Sequence, residues 1–402
     1  MRILCLSAQL PGHLDWGGYL PTATALQERG HTVLWASGAE VAELVRVAGV
    51  PFHALPETGW RWPPPPPLSP TLDMDPAALH QLRAERALDQ WLAVERVKRA
   101  MPPLLELGQR FRPDLVLGEI FVSTAGLLAE ALDVPFAVIG WPALMAKSAA
   151  DVSPLVSEAR TRLDQLLTHF QLTGRNWTPS GPPALRSSLL HLTYWGPTWY
   201  NGLALAPQTH HVGGRALPTH GSPPWPADEP AVLITLGTSF GHDPNFFIMA
   251  AHAAQDLGCL PILALGGQFT PTQTAALRQR LPATALVEET VPYAAVLPWV
   301  TAAIHHGGAG TTHALVTHAV PQIVVPHAAE QLHQAQGVVR SGVGRHLAAK
   351  AVTRAGLVAT LAQLLPDLAP VRAKAQQLRD EFAELGGVER AATLIEDVIR
   401  KT

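Results

Sequence analysis

The residues Ala303-Ile304-His305-His306-Gly307-Gly308-Ala309-Gly310-Thr311-Thr312 pass from an apolar run through glycines into helix-forming residues. That layout suits a phosphate: glycines let the backbone approach an anion, the first amides of the helix point at it, and the helix dipole favours negative charge. Thr311 and Thr312 add hydroxyl donors, and His306 can donate to a phosphate oxygen. A second glycine turn, Leu236-Gly237-Thr238-Ser239, follows the apolar run Val232 to Thr235. Taken alone, a Gly-rich strand-to-helix turn is only moderately specific, since many α/β proteins bend tightly there without ligand. The spacing lacks both the dinucleotide fingerprint and the P-loop lysine. In a doubly wound sheet both turns fall at strand carboxyl ends, where ligands bind.

A third group lies near the N-terminus, where Pro11-Gly12-His13-Leu14-Asp15-Trp16 follows the first apolar run. Histidine suits proton transfer because it titrates near neutral pH. Asp15 stands as the alternative base, and a structural loop is the reading with no chemistry. The acidic tripeptide Asp73-Met74-Asp75 imitates a metal-binding Asp-x-Asp motif but precedes Pro76 and a helical pattern, so Asp75 reads as an N-cap. No histidine pair has zinc-ligand spacing with a nearby third ligand, and no essential metal is expected.

Positioning these groups requires parallel strands alternating with helices. Candidate strands are Ile3 to Ala8, Thr32 to Ala36, Leu115 to Gly118, Phe136 to Ile139, Val232 to Thr235, Ile262 to Leu265, Ala285 to Val287, Ala302 to His305 and Ile323 to Val325. Leu20 to Arg29 and Ala39 to Ala48 carry helical spacing and stop at Gly30 and Gly49. Helical material from Pro76 to about Arg110 is expected to break at Pro102 and Pro103. The prolines from Pro63 to Pro67 form a loop or stiff arm.

The chain has 402 residues, which favours two domains. We expect a first domain over 1–213, a linker over 214–229 and a second domain over 230–402, with the last helix able to pack back on the first. A net charge of -3 disfavours nucleic acid and anionic membranes as partners. The N-terminal run is too short for a signal peptide or a membrane span. Cys5 and Cys259 lie far apart in apolar runs, so a reducing cytoplasm is expected.

The block from Val291 to Val338, with the His306 turn, Val320-Pro321, Pro326 and Glu330-Gln331, resembles the donor-binding signature of the family-1 glycosyltransferases. Leu236-Gly237-Thr238-Ser239, Arg112-Pro113-Asp114-Leu115 and the ending Gly386-Gly387-Val388-Glu389-Arg390-Ala391-Ala392 extend the likeness over nearly the whole chain. The resemblance implies an α/β chain of GT-B fold, two Rossmann-like doubly wound domains facing an interdomain cleft. It further implies inverting transfer of a hexose from a UDP- or dTDP-sugar to an acceptor hydroxyl with no cofactor; the tryptophans and prolines point to a small lipophilic acceptor, and a monomer or weak homodimer is expected.

By the same resemblance, Gly237, Thr238 and Ser239 with His306, Gly308, Ala309, Gly310 and Thr311 hold the diphosphate. Val291 meets the base, and Glu330 with Gln331 binds the sugar hydroxyls. His13 matches the catalytic histidine, with Glu119 standing where its acidic partner is usually an aspartate. Ala314 replaces the usual ribose-binding glutamate, and His313 beside it is the available substitute. Each tryptophan reads first as core, but together with Asp15 the residues Trp16, Trp60 and Trp141 suggest an aromatic-walled acceptor site. Alternatives are a catalytically silent nucleotide-sugar-binding partner of another transferase, a nucleotide-sugar epimerase and a transferase acting on a lipid carrier.

Overall fold

A computed structural model describes residues 1–15, 17–63, 75–140, 143–146, 154–216, 225–226, 229–238, 243–327, 329–348, 351–365 and 368–401. The chain divides into two compact units. The first comprises Met1–Tyr194, Leu203–Val212 and Gly386–Thr402, and the second comprises Trp195–Gly202 and Gly213–Leu385.

In the first unit seven parallel strands form one sheet. They are β1 (Arg2–Leu6), β2 (Thr32–Ser37), β3 (Phe52–Ala54), β4 (Leu115–Gly118), β5 (Phe136–Ile139), β6 (His191–Thr193) and β7 (Thr209–His211). Their order is β3-β2-β1-β4-β5-β6-β7. The chain thus runs outward in one direction through β3, then returns to place β4 on the other side of β1. Ligands bind at such a reversal, because the two flanking loops leave in opposite directions and open a crevice. Leu6 pairs with Gly118 at its lip.

β1 and β4 read as apolar runs because helices cover both faces of the sheet. The helix Tyr19–Glu28 follows β1 and gives way to Gly30, whose φ of +87° suits a residue without Cβ. The expected break at Pro102 and Pro103 does not occur. One helix runs Pro76–Trp91, another runs Val94–Phe111 straight through both prolines, and the interruption falls between Trp91 and Val94. Each interior proline costs about 3 kcal/mol. Val97, Ala100, Met101, Leu104 and Leu107 are all buried on that helix, and a fully buried large side chain contributes about 1.5–3 kcal/mol, so packing outweighs the local penalty.

The second unit repeats the pattern with β8 (Ala231–Thr235), β9 (Leu260–Ala264), β10 (Leu286–Glu288), β11 (Ala302–His305), β12 (Gln322–Val324) and β13 (Gly344–His346). The order β10-β9-β8-β11-β12-β13 puts the reversal between β8 and β11. His305 pairs with Thr235 there.

The unit boundaries depart from the expected ones at residues 195–202. Residues 195–202 belong with the second unit, because the Arg340 guanidinium donates to the Trp199 carbonyl at 2.6 Å and Thr198 N–H donates to Glu381 at 3.0 Å. The terminal helix Gly387–Lys401 belongs with the first unit. It packs on the helix Tyr19–Glu28, where Arg29 donates to the Glu389 carbonyl at 2.9 Å and to Thr393 at 3.0 Å. Most of the expected linker 214–229 lies outside the described residues.

Candidate active site

In the first unit, β1 leads through a short helix, Pro11–Asp15, that carries His13, while β4 leads directly into Glu119. The reversal therefore brings together two residues 106 positions apart: His13 Nδ1 lies 2.6 Å from Glu119 Oε1. Glu119 has no solvent exposure, and the same Oε1 accepts from Ala8 N–H at 2.8 Å. An acceptor-only carboxylate on Nδ1 fixes the tautomer with the proton on Nδ1 and the lone pair on Nε2.

Trp60 and Phe121 wall the imidazole, with ring centroids 5.0 Å and 5.8 Å from it. Trp60 is held by a turn at Gly59, whose φ is +87°, and by its N–H donating to Thr58 Oγ1 at 3.2 Å. That hydroxyl in turn donates to Gln9 at 2.5 Å, and Thr124 Oγ1 donates to the Thr58 carbonyl at 2.9 Å. Among the described residues, Trp60 Nε1 and Ser123 Oγ are buried without a hydrogen-bond partner. Buried donors left in this way usually await a ligand or a water.

In the second unit the turns after β8 and β11 sit side by side at the reversal. Gly237 has φ +66°, and its N–H donates to Thr235 Oγ1 at 3.1 Å. Glycine is required here and at Gly308: a Cβ on Gly237 would lie 2.5 Å from His306 Cε1, and one on Gly308 would lie 2.5 Å from His306 Nε2. The helix Ala309–Thr317 starts on Gly308 with no side-chain cap, which leaves its first amides to an outside acceptor.

Burial, reinforced by neighbouring His305 and His327, pushes the His306 imidazole down to about 3, so it is neutral at physiological pH. Burial likewise pushes His305 down to about 4. His305 accepts from Gly307 N–H at 3.1 Å and faces Gln322 Oε1 at 3.0 Å, so it braces the turn from below.

Residues 269–394 match the model of the erythromycin biosynthesis protein CIII-like C-terminal domain. The chain is 25% identical to the NDP-glycosyltransferase YjiC of Bacillus subtilis, covering 96% of each chain. It is 29% identical to the elloramycin glycosyltransferase ElmGT of Streptomyces olivaceus, covering 96% of this chain and 94% of that one. Among solved structures, CalG4, the calicheamicin glycosyltransferase, matches with a TM-score of 0.77 at 23% identity over 100% of this chain and 98% of its own. The spinosyn rhamnosyltransferase SpnG complexed with thymidine diphosphate matches with a TM-score of 0.74 at 23% identity, covering 99% and 100%. Together these matches support a family-1 glycosyltransferase.

In this glycosyltransferase of GT-B fold, His13, Glu119 and Trp60 come together in the first unit. Gly237, His306 and Gly308 come together in the second, where Thr238 follows Gly237 and Ala309, Gly310 and Thr311 open the helix after Gly308. Val291 is half-buried in the loop after β10, packed with Tyr293 and Ala314 on one core cluster. Asp15 is exposed at the end of its short helix. Trp16, Trp141 and Ser239, and the side chain of Glu330, lie outside the described residues.

Two expectations need correction. Thr312 donates its hydroxyl back to the Gly308 carbonyl at 2.8 Å and has no exposure, so it offers nothing to an anion. His313 is not placed as a ribose ligand: its ring packs on Trp195 at 5.0 Å and on Phe382 at 5.7 Å. Gln331 is 2% exposed, and its amide oxygen accepts from His327 N–H at 2.7 Å, so it braces the turn after β12.

Phe121, Ser123 and Thr58 were not anticipated from the sequence. The first two follow Glu119 in the same strand-to-helix connection, a position that was itself the available signal. Tyr293 was also missed; its hydroxyl lies 3.0 Å from Thr311 Oγ1 and orients that side chain.

Proposed function

We propose that this glycosyltransferase moves a hexose from a UDP- or dTDP-sugar to a hydroxyl of a lipophilic small molecule, inverting the anomeric centre and needing no metal. The observation that carries the reading is the 2.6 Å contact between His13 Nδ1 and Glu119 Oε1 at the β1/β4 reversal. His13 Nε2 takes the proton of the acceptor hydroxyl as its oxygen attacks the anomeric carbon. The bond from that carbon to the diphosphate breaks on the opposite side, and Glu119 stabilises the resulting imidazolium. Attack opposite the leaving group inverts the centre.

The leaving diphosphate gains negative charge, and the uncapped start of the helix Ala309–Thr317 supplies amides and dipole for it. These donors do the work a cation would otherwise do, which supports metal independence. Neutral His306 adds no charge, so the backbone carries this role. The aromatic wall of Trp60 and Phe121 favours an apolar acceptor, and the buried donors Trp60 Nε1 and Ser123 Oγ suit an oxygen on it. The names of ElmGT and SpnG, and the thymidine diphosphate in the SpnG complex, support an antibiotic-type acceptor and a dTDP-linked donor.

The test is incubation with a panel of UDP- and dTDP-hexoses and aromatic polyketide, macrolide and terpenoid acceptors, with and without EDTA. Mass spectrometry then detects product, and NMR coupling constants report the anomeric configuration. A glycoside of inverted configuration formed in EDTA supports the reading. Tight dTDP or UDP binding with no product from any acceptor would instead favour a silent binding partner.

A further inference from the structure

The loop that carries His13 leaves β1 at Leu6 and ends at Tyr19, the first residue of the next helix. Tyr19 is fully buried, with its ring 4.5 Å from that of Trp35. Its hydroxyl does not face an acceptor site. It turns back to the sheet, accepts from Leu6 N–H at 3.1 Å and donates to the Leu117 carbonyl at 3.0 Å, with the Leu6 carbonyl at 3.2 Å as a second acceptor. Leu6 ends β1 and Leu117 stands one residue from the end of β4, so this single hydroxyl joins the two strands at the reversal.

Two further cross-links follow in register. Ala8 N–H donates to Glu119 at 2.8 Å, and His13 meets the same carboxylate oxygen at 2.6 Å. The His13 loop is therefore tied at its start by Leu6 and Ala8 and at its end by Tyr19, and both ties run to the strand that delivers Glu119. The seat of Tyr19 is itself tight. The preceding Gly18 donates its N–H to the Asp15 carbonyl at 2.6 Å, and a Cβ on Gly18 would lie 2.4 Å from the Tyr194 ring. Burial, with the charge of Glu119 adding to it, raises the Tyr19 phenol well above its ordinary range, so the hydroxyl keeps its proton for Leu117.

We propose that Tyr19 is a positioning residue for transfer: its hydroxyl closes the His13 loop onto the ends of β1 and β4 and so sets the placement of His13 against Glu119. The inference rests on reading those two as base and partner. A displacement of about 1 Å in a reacting group costs up to ~10²-fold in rate, so a lost tie at the end of the segment that carries the base is expected to show in turnover.

Tyr19→Phe keeps the ring against Trp35 and removes only the hydroxyl. The matched control is Ser187→Ala, which removes a buried hydroxyl that likewise bridges backbone groups, donating to Phe136 C=O at 2.6 Å and accepting from Leu189 and Leu190 N–H at 2.9 Å and 3.0 Å. Both variants should melt a few degrees lower. With a donor and acceptor pair from the product screen, Tyr19→Phe should lose about tenfold in kcat with donor KM and dTDP affinity unchanged, whereas Ser187→Ala should stay within about twofold of wild type. If the Phe variant is not recovered folded, Tyr19→Met provides a flexible apolar filler without the hydroxyl and carries the same expectation. A folded variant that melts lower yet keeps wild-type kcat overturns the proposal. His13→Ala with full activity would instead remove the reading on which it rests.

Discussion

Replacing Glu119 by glutamine isolates one property of the base pair, its charge. Glu119 Oε1 accepts from Ala8 N–H at 2.8 Å and from His13 Nδ1 at 2.6 Å, in a site with no solvent exposure. In Glu119→Gln the amide oxygen still accepts from Ala8, so the loop keeps a tie, but no anion faces the imidazolium that forms during proton transfer. A hydrogen bond to a charged group contributes about 1.5–3 kcal/mol. At about 1.36 kcal/mol per tenfold in rate, losing it lowers kcat roughly 10- to 150-fold. If the amide NH2 turns towards Nδ1, the imidazole adopts the wrong tautomer and the loss extends to about 10⁴-fold. Donor KM should not move, because the phosphate turns belong to the other unit. The melting temperature should change little, since a neutral amide is easier to bury than a carboxylate. Steady-state product formation by mass spectrometry, with circular dichroism on the same samples, checks both. A folded variant retaining more than about half of wild-type kcat would show that Glu119 only braces the loop.

The remaining predictions concern a glycine turn of the second unit and the buried histidines of both units. Gly308→Ala places a Cβ 2.5 Å from His306 Nε2, so the turn must shift and dTDP affinity should fall by about tenfold or more, read by calorimetric titration. An unchanged affinity would remove this turn from the diphosphate site. Stability should fall as pH drops. His191 and His305 are depressed to about 4 and His306 to about 3, all by burial, from an ordinary value of 6.5. Below pH 6.5 the unfolded chain therefore binds more protons than the folded one, and the loss continues until each folded-state value is passed. The urea midpoint should be lower at pH 5 than at pH 7.5, and a midpoint equal or higher at pH 5 would contradict the burial argument.

Much of the fold was legible because parallel strands covered on both faces read as unbroken apolar runs, as Leu115 to Gly118 and Ala302 to His305 do. β3, β6, β7 and β13 were not seen. Each has only three residues, and sequences such as Thr209-His210-His211 carry no apolar run, so their neighbours in the sheet define them. The helix through Pro102 and Pro103 escaped for the same reason, since its buried face is a tertiary fact. The glycine turns could be read locally, because close backbone approach demands glycine wherever it occurs. The proximity of His13 and Glu119 could not, as only the strand order brings two loops 106 residues apart to one point. His313 and Thr312 show the opposite limit. Their types fit a nucleotide, and their directions, set by helix packing and a back-bond to Gly308, do not. Tyr19 was invisible at sequence level because a bridging hydroxyl has no local pattern.

The central claim is that His13 is the base of a sugar transfer whose donor is held elsewhere. It is tested most directly by comparing wild type and His13→Ala under saturating dTDP-sugar and acceptor while dTDP affinity is measured on the same preparations. The account predicts loss of glycoside formation by about 10²- to 10⁴-fold with dTDP affinity unchanged. A folded His13→Ala protein that forms glycoside at the wild-type rate would contradict it.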